Sequence, residues 1–128
     1  MDNFIYTSHA QRVVFGAGAL GQVGAEMDRL GARRAIVLCT PGQRADAERV
    51  AALLGARAAG QFDQAAMHVP IETARAAREY ARSLDADCAI AIGGGSTIGL
   101  GKAIALESSL PILAIPTTYA GSEMTPIW

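Results

Sequence analysis

Apolar runs without polar alternation recur along the chain, and segments with helical periodicity separate them. Three of these runs are RAIVLC (34–39), CAIAI (88–92) and PILAIP (111–116). Such runs are typical of strands covered on both faces, as in a parallel sheet between layers of helices. A weaker strand is predicted over 56–62.

The spacing of apolar residues predicts four helices between and before these strands. The first ends at Gly31 and the second at Gly55, because glycine commonly follows the last residue of a helix. The third begins near Pro70, and the fourth runs from Ser96 to about Glu107. The expected buried stripes of the first three helices are Leu20, Val23, Met27 and Leu30; Ala47, Val50, Ala51 and Leu54; and Ile71, Ala74, Ala81 and Leu84.

Alternation of strands and helices predicts an α/β fold, a Rossmann-like parallel sheet with helices on both faces. The β-prone runs FIYT (4–7) and QRVVF (11–15) predict a short N-terminal β-ribbon before the sheet. The length of 128 residues predicts one domain over 1–128.

Composition and charge narrow the class of protein. The chain is 51% apolar with a net charge of −1, which argues against disorder and against a nucleic-acid partner. No signal peptide is visible, and no apolar run reaches the ~20 residues of a membrane span. Cys39 and Cys88 each adjoin a strand, so buried, reduced thiols and a cytoplasmic location are predicted.

Two of the three glycine patterns are weak. Gly16, Gly18 and Gly21 spell G-x-G-x-x-G, but the next strand ends at Thr40 without the acidic residue that would bind a ribose, so we interpret this pattern as a tight turn. The stretch STIGLGKA resembles a P-loop, but that motif needs glycine in place of Ser96 and a hydroxyl in place of Ala103.

The third pattern, Gly93 to Ser96, follows a buried strand and opens a helix. At the carboxyl end of a parallel sheet this is where α/β folds bind ligands. The free N–H groups of a first helical turn can bind a phosphate, and glycine lets a pyrophosphate reach them. The alternative is an ordinary turn with Ser96 as the N-cap residue.

The segment PTTYAGSEMTP (116–126) leaves the same edge of the predicted sheet. It carries four hydroxyl-bearing side chains besides Tyr119, and these can bond a ribose or a nicotinamide. The alternative is a polar loop capped by its own side chains. His9 and His68, the two histidines, lack metal-ligand spacing, so both are interpreted as structural and no metal site is predicted.

With GGGSTIGLGK (93–102) and PTTYAGSE (116–123) both in place, the chain resembles the N-terminal domain of the iron-containing alcohol dehydrogenase family. The resemblance covers all 128 residues, including FGAGAL (15–20) and VLCTPG (37–42), and is greatest to the maleylacetate reductase branch. It implies an oxidoreductase that uses NADH or NADPH.

The resemblance assigns roles to individual residues. It places the pyrophosphate on Gly93, Gly94, Gly95 and Ser96, and it places Thr97, Thr117 and Thr118 along the cofactor cleft. Lys102 matches the lysine of the family's G-G-G-S-x-x-D-x-x-K pattern and is expected near the nicotinamide ribose or the substrate; the alternative is a solvated charge. Tyr119 and Ser122 are expected nearest the reacting end.

Three departures from the general family pattern carry information. Gly99 replaces the usual aspartate, and the loop Thr118-Tyr119-Ala120-Gly121 is one residue shorter than usual. In both departures the chain resembles the maleylacetate reductases. Thr40 stands where many members carry an aspartate against the adenosine ribose, and loss of that carboxylate removes repulsion of a 2′-phosphate. NADPH is therefore expected to be tolerated beside NADH.

The implied reaction is reduction of the C=C bond of maleylacetate to 3-oxoadipate, in bacterial degradation of aromatic compounds. The family's second, all-helical domain, which carries most substrate contacts, is absent from this chain, so residues 1–128 alone are expected to bind nucleotide without turning over substrate. The resemblance further implies a small dicarboxylate substrate and a homodimer. The alternatives are a metal-dependent alcohol or polyol dehydrogenase of the same family and a non-catalytic nucleotide-binding module.

Overall fold

The computed structural model describes residues 3, 5 and 11–118, and within them strands and helices alternate. The strands are β1 (Ala35–Leu38), β2 (Ala58–Phe62), β3 (Cys88–Gly93) and β4 (Ile112–Pro116). The helices are α1 (Val23–Arg29), α2 (Arg44–Leu54), α3 (Ile71–Ser83) and α4 (Gly95–Ser108). Single 3-10 turns lie at Ala19–Gln22, Pro41–Gln43 and Gly55–Arg57. Every strand and helix predicted from 18 onward is confirmed.

All neighbouring strands are parallel, in the order β2-β1-β3-β4. Side chains of β1 alternate between the two faces of the sheet. Val37 packs in the cluster with α1 and α2, whereas Ile36 and Leu38 pack in the cluster with α3 and α4. The prediction of a Rossmann-like sheet with helices on both faces is thereby confirmed.

Strand β3 is buried along its whole length, from Cys88 to Gly93. Burial of each isoleucine side chain contributes about 1.5–3 kcal/mol, so Ile90 and Ile92 hold this strand firmly in the sheet. At its start, the carboxylate of Asp87 accepts hydrogen bonds from the N–H groups of Arg33 and Arg34, at 2.8–3.0 Å. The strand is therefore anchored at its amino end, and its carboxyl end is presented at a defined position.

Some expectations differ from the structure. The segment 11–15, predicted as half of an N-terminal ribbon, has no strand; Val13 and Phe15 are 66% and 90% exposed, so no packed layer of the described residues holds it. The other half, FIYT, lies mostly outside the described residues. Ile71 was expected in the buried stripe but is 65% exposed, because it occupies the first position of α3; Ala77 belongs to the stripe instead.

Within the described residues, no helix is both long enough and apolar enough to cross a membrane.

Candidate functional site

The direction of the strand order reverses between β1 and β3, which makes a switch point at the carboxyl edge of the sheet. From β1 the chain crosses to β2 on one side, whereas β3 is followed by β4 on the other side. Ligands of open α/β sheets bind at such a switch point, because the flanking connections diverge there. Thr40, just after β1, and Gly93, at the end of β3, lie at this edge.

Gly93 is required by its backbone conformation and by its neighbours. Its φ angle is +148°, a value that residues with a Cβ rarely adopt. A Cβ at this position would overlap Gln43 Oε1 and would lie 2.7 Å from Thr97 Oγ1. The missing side chain therefore leaves room for two side chains from elsewhere in the chain.

The next two glycines serve different purposes. Gly94 is the N-cap residue of α4 with extended backbone, and a Cβ there would lie 3.2 Å from Thr118 Oγ1. Gly95 faces open space, since a Cβ there would meet no described atom within 4 Å. The protein's own packing therefore accounts for the first two glycines and leaves the third without a structural requirement.

The N-terminus of α4 carries free donors. The N-cap residue is Gly94, which has no side chain to cap the helix, so the alternative in which Ser96 is the N-cap residue is wrong. The N–H groups of the first turn, at Gly95, Ser96 and Thr97, have no acceptor within the helix itself. The first turn also contains no acidic residue. These amides point to the carboxyl edge of the sheet with the positive end of the helix dipole.

Thr97 adds a buried hydroxyl to this turn. The residue is 0% exposed, and its Oγ1 has no hydrogen-bond partner among the residues that the structure describes. A buried hydroxyl without a partner costs about 1–3 kcal/mol. This hydroxyl lies next to Gly93 in the glycine loop (Gly93 to Ser96), so it is a candidate hydrogen-bonding group for a ligand at this edge.

Strand β4 brings two more hydroxyls to the loop. The N–H of Thr117 donates to the carbonyl of Gly93 at 2.9 Å, which continues the β3–β4 ladder past the last residue of β4. Thr118 Oγ1 lies beside the backbone of Gly94. Both residues are exposed. The prediction that the segment from Pro116 leaves the sheet at the same edge as Gly93 to Ser96 is confirmed as far as Thr118.

Gln43 completes the site and was not singled out from the sequence. It lies in the 3-10 turn after β1, and its Nε2 donates to Thr117 Oγ1 at 3.1 Å. The Thr40 hydroxyl donates to Gln43 Oε1 at 3.2 Å. The amide therefore connects the carboxyl ends of β1 and β4 across Gly93. Only the strand order brings these residues together, because Gln43 and Thr117 are 74 positions apart.

Two groups near this edge, Arg44 and Cys39, are respectively ion-paired and buried. Arg44, four residues after Thr40, pairs with Asp63 at 2.5 Å. Burial raises the pKa of the Cys39 thiol, with the charge of Asp63 as a smaller cause. Thiolate chemistry at Cys39 is therefore disfavoured, and the edge presents mainly neutral hydroxyls and amides.

Lys102 lies two turns further along α4. Seven residues separate it from Gly95, which corresponds to about 10 Å along the helix axis. It is half-buried. Its predicted role thus depends on the reach of its side chain, whereas Thr97 and the three glycines lie directly at the edge.

Gly99, the departure from the family's aspartate, is a packing position. A Cβ at Gly99 would lie 2.9 Å from Val69 Cγ2. Val69 lies in the loop between β2 and α3, next to the exposed His68. The space for a carboxylate at position 99 is therefore taken by this loop.

The remaining candidates lie outside the site or outside the described residues. Tyr119 and Ser122 are among the residues that the structure does not describe, as is His9. Over the described ranges, no cluster of three or more His, Cys, Asp or Glu side chains could hold a metal ion.

The pattern Gly16, Gly18 and Gly21 forms a turn, as predicted. Gly16 and Gly18 have φ angles of +151° and +76°, and a short 3-10 turn follows them. A groove of about 1030 Å³ lies between this turn and β4. Its lining reaches Thr117 and Thr118 but does not include the glycines that open α4.

Comparison with known proteins identifies relatives over the whole chain. The family model "Iron-containing alcohol dehydrogenase" matches residues 10–128. A maleylacetate reductase from Burkholderia cepacia is 66% identical over 128 residues, which are 100% of this chain and 36% of that protein. Crystal structures of maleylacetate reductases from Agrobacterium tumefaciens and Rhizobium sp. strain MTP-10005 superpose with a TM-score of 0.93 each. They are 52% and 55% identical, and each alignment covers 98% of this chain and 36% of the other.

Proposed function

We propose that the chain, which belongs to the iron-containing alcohol dehydrogenase family, is the nucleotide-binding part of a reductase that uses NADH or NADPH. The chain spans 36% of the length of the Burkholderia cepacia maleylacetate reductase. The reaction is therefore proposed for a protein that contains this chain and additional residues. The substrate is maleylacetate, a small dicarboxylate, which is reduced at its C=C bond.

The observation that carries the proposal is the N-terminus of α4. Its first-turn amides have no side-chain cap, Gly95 has open space beside it, and the buried Thr97 hydroxyl has no partner among the described residues. Of these features the unpartnered hydroxyl carries a free-energy cost, and the other two leave the amides accessible. All three are explained by a phosphate that accepts from the amides and from Thr97 Oγ1.

The arrangement of groups at the edge of the sheet supports a position for each part of the cofactor. The amides of the Gly93 to Thr97 turn would hold the pyrophosphate, and Thr40 would hold the adenosine ribose. Thr117 and Thr118 extend the hydrogen-bonding surface toward the nicotinamide. When bound, the cofactor supplies the hydride; the described residues hold and orient it, and the buried β3 fixes their relative positions.

Several further elements of this function are proposals from the resemblance. Tyr119, Ser122 and Lys102 are assigned to the substrate side, where they orient the dicarboxylate. An all-helical domain supplies the remaining substrate contacts, and the active assembly is a homodimer. Location in the cytoplasm likewise stays a prediction.

The test of cofactor binding is a calorimetric titration of the purified protein with NADH, NADPH and FMN. NADH and NADPH are expected to bind, and tighter binding of FMN would instead support a non-catalytic mononucleotide module. Thr40→Asp is expected to weaken NADPH relative to NADH, because it restores a carboxylate near the 2′-phosphate. An unchanged ratio would remove Thr40 from the ribose site.

The test of the reaction uses a protein that contains this chain together with the all-helical domain, and it follows the oxidation of NADH by maleylacetate through the absorbance of NADH. Activity that resists a metal chelator is expected. Oxidation of NADH by simple aldehydes but not by maleylacetate, with loss on chelation, would favour the metal-dependent alcohol dehydrogenase alternative.

A further inference from the structure

We propose that Gln43 is a positioning residue that makes Thr40 a hydrogen-bond acceptor, so that the site prefers the ribose 2′-hydroxyl of NADH to the 2′-phosphate of NADPH. This inference rests on the proposed function, and it specifies which of the two cofactors that function favours. It concerns a residue that touches no reacting atom and acts through its two threonine neighbours.

The geometry places the Gln43 side chain between two hydroxyls. Its Oε1 accepts from Thr40 Oγ1 at 3.2 Å, and its Nε2 donates to Thr117 Oγ1 at 3.1 Å. Its Oε1 also occupies the space that a side chain on Gly93 would fill. The amide is therefore confined between the ends of three strands, and its two ends face different partners.

The chemistry of the amide decides which way each hydroxyl proton points. A carbonyl oxygen can only accept, so the proton of Thr40 is used in the bond to Gln43 Oε1. The remaining lone pairs of Thr40 Oγ1 can then only accept from a ligand. At the other end, Thr117 Oγ1 accepts from Nε2 and keeps its own proton, which it can donate to a ligand.

These two polarities match two parts of a dinucleotide. In dinucleotide-binding folds, the residue that follows the neighbour of the glycine-loop strand contacts the adenosine ribose. Here β1 is a neighbour of β3, and Thr40 follows β1. A ribose 2′-hydroxyl can donate to Thr40, whereas the oxygens of an ionised 2′-phosphate can only accept. Thr117, beside the glycine loop, is by contrast set to donate to an anionic oxygen.

The nearest cation along the chain does not cancel this preference. Arg44 pairs with Asp63, so its charge is offset by a carboxylate at 2.5 Å. NADPH is still tolerated because position 40 carries no charge. The expected result is thus weaker NADPH binding without exclusion, a graded preference that depends on Gln43.

Two substitutions of similar size test this in opposite directions. In Gln43→Met the Thr40 hydroxyl is released and can donate to the phosphate, so the ratio of the NADPH Kd to the NADH Kd is expected to fall about fivefold, the effect of one hydrogen bond. In Gln43→Glu the carboxylate still accepts from Thr40 and adds repulsion, so the ratio is expected to rise about tenfold, and less at high salt. A merely structural role would move the ratio in the same direction in both variants, or not at all.

Thr40→Val supplies the control that Gln43 acts through Thr40. This variant removes the acceptor and is expected to lower the ratio, after which adding Gln43→Met produces no further change. An unchanged ratio in Gln43→Met, with NADH still bound, would overturn the inference while leaving the proposed function intact. Failure of the parent protein to bind either cofactor would instead refute the proposed function.

Discussion

Substitution of Gly95 by alanine separates ligand binding from folding. A Cβ at this position meets no described atom within 4 Å, and the residue is helical. Replacing glycine by alanine at an unstrained position stabilises a protein by about 0.4–1 kcal/mol, chiefly by restricting the unfolded chain. Gly95→Ala is therefore expected to melt at a temperature equal to or above that of the parent protein.

The effect on binding should have the opposite sign. A phosphate on the first-turn amides has oxygens about 2.9 Å from the N–H nitrogens, which requires close approach to the backbone. A methyl group that displaces the phosphate and breaks one charge-assisted hydrogen bond costs about 1.5–3 kcal/mol. The Kd for NADH is then expected to rise at least about tenfold. Gly94 is less suitable for this test, because a Cβ there would approach Thr118 Oγ1 at 3.2 Å and perturb the protein itself.

The matched control is Gly21→Ala. Gly21 also faces open space, belongs to the other glycine pattern and lies in a short 3-10 turn. Thermal unfolding and calorimetric titration with NADH are measured on both variants, and Gly21→Ala is expected to bind normally. An NADH Kd within twofold of the parent value in Gly95→Ala would refute the placement of the pyrophosphate on α4. Loss of binding in Gly21→Ala instead would move the site to the turn at 16–21.

Three further predictions concern the interior below the loop. Gly93→Ala is expected to destabilise the protein by roughly 2–4 kcal/mol in urea denaturation, because it combines an unfavourable φ of +148° with overlap against Gln43 and Thr97. A loss of stability below about 0.5 kcal/mol would contradict the turn geometry. Thr97→Val removes an unpartnered hydroxyl that a phosphate can use. Stability is expected to be unchanged or higher by about 1 kcal/mol, and the Kd for NADH is expected to rise about fivefold. An unchanged Kd would exclude Thr97 from the site. Burial, and then the charge of Asp87, raises the pKa of Cys88 to about 11. Because the thiol of the unfolded chain ionises first, stability is expected to fall as the pH rises from about 9 toward 11. Urea midpoints that stay constant over this range would contradict this prediction.

The strands and helices could be predicted from the sequence because their signals are local. The run CAIAI contains no polar residue, and it became the fully buried β3. The glycines after it could be assigned to a strand-to-helix turn for the same reason. The segment 11–15 does not form its predicted strand, because none of the layers within the described residues covers its apolar side chains. Periodicity alone cannot reveal whether such a layer exists.

The hydrogen-bond network of the site depends on strand order, which no local pattern encodes. Gln43 follows β1 and Thr117 follows β4, and both strands end beside β3 only because the sheet has the order β2-β1-β3-β4. The sequence shows that Gly93 lacks a side chain, but not which groups use the space. In the folded chain the Gln43 amide occupies it and orients hydroxyls on both sides. A glycine required by its backbone conformation therefore also leaves the space in which the Gln43 amide bonds Thr40 and Thr117.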